Sequence, residues 1–113
     1  MTGRLEELHE LRTVRSDWQA LSSRWALTEG ERVALLQDAS EERPFPAAAT
    51  EKRMRLILAV DRSLPIASHD REVLTWLRRP ASLLGARTPL DVMAGAPCEI
   101  RAVRDLAERI FRQ

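Results

Sequence analysis

The stretch Trp76-Leu77-Arg78-Arg79-Pro80-Ala81-Ser82-Leu83-Leu84-Gly85-Ala86-Arg87-Thr88-Pro89-Leu90-Asp91-Val92-Met93 decides the fold class. Pro80 has no amide donor and biases Arg79 towards extended geometry, so it ends a helix that carries Val73, Leu74, Trp76 and Leu77. Leu83-Leu84-Gly85 reads as a turn. Thr88-Pro89-Leu90-Asp91 is a compact helix start: Thr88 caps, Pro89 presets the first helical φ, and Asp91 sits near the positive helix end. Gly95 is expected to close that short helix in the left-handed conformation.

Downstream, Pro97 opens a last helix in which Ile100, Val103, Ala107 and Ile110 are expected to line one buried face. The rest of its surface carries Arg101, Arg104, Asp105, Glu108, Arg109 and Arg112, spaced for a ladder of i,i+4 ion pairs. Each such pair contributes only a few tenths of a kcal/mol, roughly 0.2–0.5. Either the ladder is a solvated face, or its arginines reach into an acidic or phosphate-binding site on a partner.

Upstream, Ser68 or Asp70 is placed to cap the helix that Pro80 ends. A further helix starts near Thr50, carries Met54, Ile57, Leu58 and Leu64, and stops at Leu64-Pro65. Ala39 to Ala49 is irregular, with Phe45 between Pro44 and Pro46 expected to pin the loop to the core. Thr28-Glu29-Gly30-Glu31 has the capping-box pattern and opens a short helix with Val33, Leu35 and Leu36 that should stop near Asp38. Residues 5–25 form one long helix, with Leu5, Leu8, Leu11, Val14, Trp18, Leu21 and Trp25 on a single stripe. That stripe either docks on the rest of the chain or forms the seam of a dimer. The expected fold is all-α and compact, with five or six helices. The expected segments are 1–24, an amphipathic helix, then 25–64 and 65–113, two helical halves.

Composition narrows the function. No apolar run approaches the roughly 20 residues that span a bilayer, and the N-terminus lacks the apolar core of a signal peptide, so a cytoplasmic protein is expected. Cys98 is the single cysteine; at a helix start its thiol could be activated, but a small, partly buried residue is the simpler expectation. Ser68-His69-Asp70 has the letters of a catalytic triad, but sequence neighbours do not converge as a triad must, and capping explains them. His9 and His69 have no partners at ligand spacing, and four scattered glycines make no phosphate loop. No catalytic residue, metal site or cofactor is expected.

The stretch from Trp76 to Met93, with Val103-Arg104 beyond it, resembles the C-terminal toxin-binding domain of the Xre/MbcA/ParS antitoxin family. That family shows a Trp-Leu-Arg segment, Pro-Asn, a Gly-Gly turn and Pro-Leu-Asp or Pro-Leu-Glu before a short helix. Trp25-Ala26-Leu27-Thr28 and Leu35-Leu36 resemble the opening of the family's Xre-like half. Two positions depart: Ala81 stands for the usual Asn and Ala86 for the second glycine, so the turn must find other hydrogen bonds and Ala86 must either avoid positive φ or tolerate strain. The resemblance implies a partner toxin of the RES-domain type, which depletes NAD, and a complex in which the C-terminal region covers the toxin's active-site cleft. Arg78, Arg79, Arg87, Arg104, Arg109 and Arg112 are the toxin-binding candidates. Trp76, Pro80, Gly85, Thr88, Pro89, Leu90 and Asp91 hold the motif's shape.

The family's recognition helix would fall at Asp38 to Ala49, where Asp38, Glu41, Glu42, Pro44 and Pro46 stand instead. A major-groove helix needs donors for base edges and phosphates, and carboxylates repel the backbone. Residues 1–43 carry a net charge of −3 and residues 44–113 a net of +4, so the would-be DNA-reading half is the acidic one. Specific DNA binding is expected to be weakened or lost, although Lys52, Arg53 and Arg55 remain phosphate-contact candidates for an operator-binding regulator. The other alternative is a dimeric interaction protein joined through Trp18 and Trp25; a homodimer or a toxin–antitoxin hetero-oligomer is the expected assembly.

Overall fold

The computed structural model describes residues 3–37, 48–64 and 70–111. These form six helices: α1 (Gly3–Arg24), α2 (Glu29–Leu36), α3 (Ala48–Ser63), α4 (Asp70–Leu77), α5 (Pro89–Met93) and α6 (Pro97–Phe111), with a 3-10 turn at Ser82–Leu84. No strand occurs among the described residues, and the all-α expectation holds. Asp38 and the Ala39-to-Ala47 part of the irregular stretch, including Phe45, lie outside the described residues, as do Ser68, His69 and Arg112. α3 begins at Ala48, two residues ahead of Thr50. Asp70 is the first helical residue of α4 rather than its cap.

Local chemistry starts two helices as expected. Thr28 Oγ accepts from the Glu31 amide at 3.1 Å, and Glu31 Oε1 accepts from the Thr28 amide at 2.9 Å, completing the capping box of α2. Thr88 Oγ accepts from the Asp91 amide at 3.1 Å with Pro89 in the first turn of α5. Caps of this kind stabilise by about 1 kcal/mol each.

α3 runs through the centre and packs against α1 on one side and α6 on the other. Met54, Ile57, Leu58 and Val60 of α3 meet Ile100, Val103, Leu106 and Ala107 of α6 in one buried cluster. Val14, Trp18 and Leu21 of α1, with Trp25 just past its end, join the same cluster. Trp18 is 3% exposed and Trp25 1%, so this stripe is spent on the chain's own core. The proposed dimer seam through the two tryptophans is therefore corrected. Trp25 Nε1 also donates to Asp61 Oδ1 of α3 at 3.1 Å, which satisfies the one polar atom of a buried indole.

Two further expectations are overturned. Ile110 is 47% exposed, and Leu106 takes its place in the buried stripe of α6. Ile110 lies in the final turn of the helix, where the core has ended. Gly95 does not adopt positive φ, because α5 closes on Ala94 in right-handed geometry (φ −75°, ψ −8°). A side chain at Gly95 would collide with the Glu99 carboxylate and crowd the Val92 carbonyl oxygen at 3.2 Å. The glycine answers to close approach, not to a left-handed cap.

Two adjoining left-handed residues stand instead in the turn ahead of α5. Gly85 (φ 69°) and Ala86 (φ 63°) are both in that region, so the alanine at the family's second glycine tolerates the strain. For an L-residue that geometry costs roughly 1–2 kcal/mol. Two backbone bonds close the turn, the Ala81 amide donating to the Arg87 carbonyl and the Ala86 amide to the Ala81 carbonyl, each at 3.0 Å, and Arg87 Nε adds a bond to the Leu84 carbonyl. Main-chain groups thus supply the bonds that an asparagine side chain at Ala81 would otherwise offer.

Candidate functional site

The arginines of this chain have been used in two ways, and sorting them locates the surface left for a partner. Arg53 is buried at 4% exposure. Its Nε donates to the Leu35 carbonyl at 2.6 Å, and its two terminal nitrogens donate to the Met93 and Gly95 carbonyls, each at 2.7 Å. Those acceptors belong to the C-terminal ends of α2 and α5, where carbonyls lack intrahelical donors and the helix dipole favours a cation. Burial lowers the Arg53 pKa from its ordinary value, yet a guanidinium stays charged at any physiological pH. Gln37, the left-handed C-cap of α2, adds a bond from its side-chain amide to the Ala94 carbonyl at 2.8 Å. Arg53 was a candidate phosphate contact; it is corrected to a buried clamp. Arg55 lies on the surface and donates twice to Glu51 Oε1, at 3.0 and 2.7 Å, which neutralises a second candidate. Lys52 is exposed.

Three toxin-binding candidates are also engaged within the chain. Arg78 reaches across to the α1–α2 turn, where one terminal nitrogen lies 3.1 Å from the Trp25 carbonyl, 3.2 Å from the Ala26 carbonyl and 3.1 Å from Glu31 Oε1. Arg87 donates to the Leu84 carbonyl at 3.1 Å and faces Glu99 at 3.7 Å. Arg104 is 3.6 Å from Asp105, and its buried Nε has no partner among the described residues. That contact replaces the expected rung to Glu108, which turns instead to the Ser63 hydroxyl of α3 at 3.3 Å.

Arg79 and Arg109 remain exposed and make no side-chain bond to another described residue. Arg71, which the sequence reading passed over, shares that state. Arg71 and Arg79 stand over an open groove of about 630 Å³ whose other lining residues are Glu72, Thr75, Trp76, Ile110 and Phe111. Trp76 and Phe111 meet edge to face, with ring centroids 5.5 Å apart and planes at 79°, a favoured aromatic geometry. Trp76 is half-buried, packed against the core and forming a groove wall. The spacing of Arg71, Thr75 and Arg79 by four was a readable signal for one side of the segment that Pro80 ends, although α4 itself stops at Leu77. The pairing of Trp76 with Phe111 had none, because it joins distant parts of the chain.

The motif residues Pro89 and Leu90 are buried, while Pro80, Gly85 and Asp91 are exposed and Thr88 is half-buried. Cys98 is exposed, not partly buried. Among the described residues no group of three or more His, Cys, Asp or Glu could hold a metal ion, and no helix is long and apolar enough to cross a membrane.

An apolar groove edged by arginines that make no side-chain bond to another described residue is the kind of surface that takes a partner or a ligand. Residues 66–111 match the family described as the antitoxin Xre/MbcA/ParS C-terminal toxin-binding domain. No curated protein and no solved structure matches the chain. The matched range contains the entire α4–α6 groove and the strained Gly85-Ala86 turn.

Proposed function

We propose that the chain is the antitoxin of a toxin–antitoxin pair, a non-enzymatic cytoplasmic protein that neutralises a RES-type, NAD-depleting toxin by binding over its active-site cleft. The observation that carries this reading is the toxin-binding family match at residues 66–111. The exposed Arg79 and Arg109 within that range support it, since guanidinium forks suit polar and acidic groups at a cleft rim. Arg112 lies outside the described residues and is proposed as a contact from the sequence resemblance alone. Arg78, Arg87 and Arg104 contribute mainly by holding the domain's shape. An operator-binding role is not favoured, because Arg53 is buried and Arg55 is paired with Glu51.

Co-expression with the product of the adjacent gene tests the proposal. The adjacent product alone should arrest growth and deplete NAD, and this chain should restore both and co-purify with it. Growth arrest that persists despite soluble antitoxin would overturn it.

A further inference from the structure

We infer that the α4–α6 groove is where the partner docks, and that it takes an apolar side chain flanked by carboxylates. This deepens the toxin-binding reading and rests on it. Trp76, Ile110 and Phe111 supply an apolar floor and wall, and Ile110 is a large apolar side chain left 47% exposed in the folded chain. An anchor residue inserted there is desolvated on several sides, which is the setting of an interface hot spot. Arg71 lies in the first turn of α4 and Arg79 two residues past its last residue, Leu77; both line the groove, where Glu72 is the only acidic lining residue. The rim is therefore net positive. The neighbouring cation Arg78 is already held by Glu31, so the charge left to meet a partner is that of Arg71 and Arg79. Complementarity calls for two carboxylates bracketing the anchor, each met by a guanidinium fork.

Placement supports the same surface. A neighbouring groove of about 530 Å³, lined by Leu74, Arg78 and Pro80, shares Arg71, Thr75 and Arg79 with this one, so both arginines stand between two open surfaces of the same side. A separate groove, between α1 and α3, is smaller at about 240 Å³ and is lined by Asp17, Arg24, Asp61 and Arg62, whose charges cancel, with Ala20 and Leu58. It lies outside residues 66–111, whereas every residue lining the α4–α6 groove lies inside them.

The test uses the full chain co-expressed with the adjacent-gene product, comparing wild type, Arg71→Glu/Arg79→Glu and Ile110→Glu. All three sites are exposed, and circular dichroism should show unchanged helicity and melting. Each variant should weaken the complex about 100-fold or more and lose growth rescue. Asp or Glu to Arg reversals in the partner should then include at least one that restores binding to the double-arginine variant and not to Ile110→Glu. If wild type binds and both variants bind equally well, the groove assignment falls while the antitoxin reading stands. If wild type itself does not bind, the antitoxin reading falls and takes this assignment with it. Sedimentation of the chain alone adds one further outcome: a dimer that Ile110→Glu dissociates without loss of toxin binding would give the groove to a second copy and overturn the proposal.

Discussion

The joint where α2, α3 and α5 meet and the groove between α4 and α6 are both built around arginine, and they differ in what the guanidinium faces. At the joint, Arg53 is enclosed and all of its nitrogens point at carbonyl oxygens from helix ends. At the groove, Arg71 and Arg79 project into solvent beside aromatic rings. Counting arginines on the basic half of the chain overstates the cation available to a partner. Free surface charge is what remains after the fold has satisfied its own carbonyls and carboxylates.

Substitutions can break or sharpen this contrast. The largest effect is expected at Arg53→Ala, which strips the donors from three carbonyls at buried helix ends and should lower unfolding free energy by about 3–5 kcal/mol. Arg53→Lys keeps the charge but loses the planar fork, so urea denaturation should show only partial recovery. Next comes Arg78→Ala, which removes a half-exposed tether and should cost about 1 kcal/mol by the same measurement. Ala86→Gly relieves a left-handed alanine and should raise stability by about 0.5–1 kcal/mol after the extra freedom of glycine in the unfolded chain is counted. At the small end, Arg79→Ala and Arg109→Ala should change stability by less than about 0.5 kcal/mol while reducing antitoxin activity in growth rescue. Equal destabilisation at Arg53 and Arg79 would erase the distinction between clamp and contact.

Much of the fold was legible because its signals are local. The capping box at Thr28 and the Thr88-Pro89 start each need only a few neighbouring residues, and both formed as read. Arg53 was partly legible too: it precedes Ile57 by four positions, so the helical period puts it on the buried face of α3. Its chemistry suggested surface, and its position decided the matter. Gly95 misled because the common reason for a glycine after a short helix is positive φ, whereas here Glu99 and Val92 crowd the space. Ile110 misled because periodicity says which side of a helix a residue is on, not where along its length the core stops. The candidate site was harder still, since its two arginines are near in sequence while its aromatic pair is not.

The Arg53 clamp also separates two boundaries that are easily equated. The matched recognition unit starts at residue 66, but the α5 end it contains is held by a side chain from α3 and by Gln37 of α2. The unit that folds is therefore expected to be longer than the matched range, to which we assign recognition. A chain cut between α3 and α4 is expected to lose recognition through unfolding, and one protease nick upstream should disarm a binding surface it never touches.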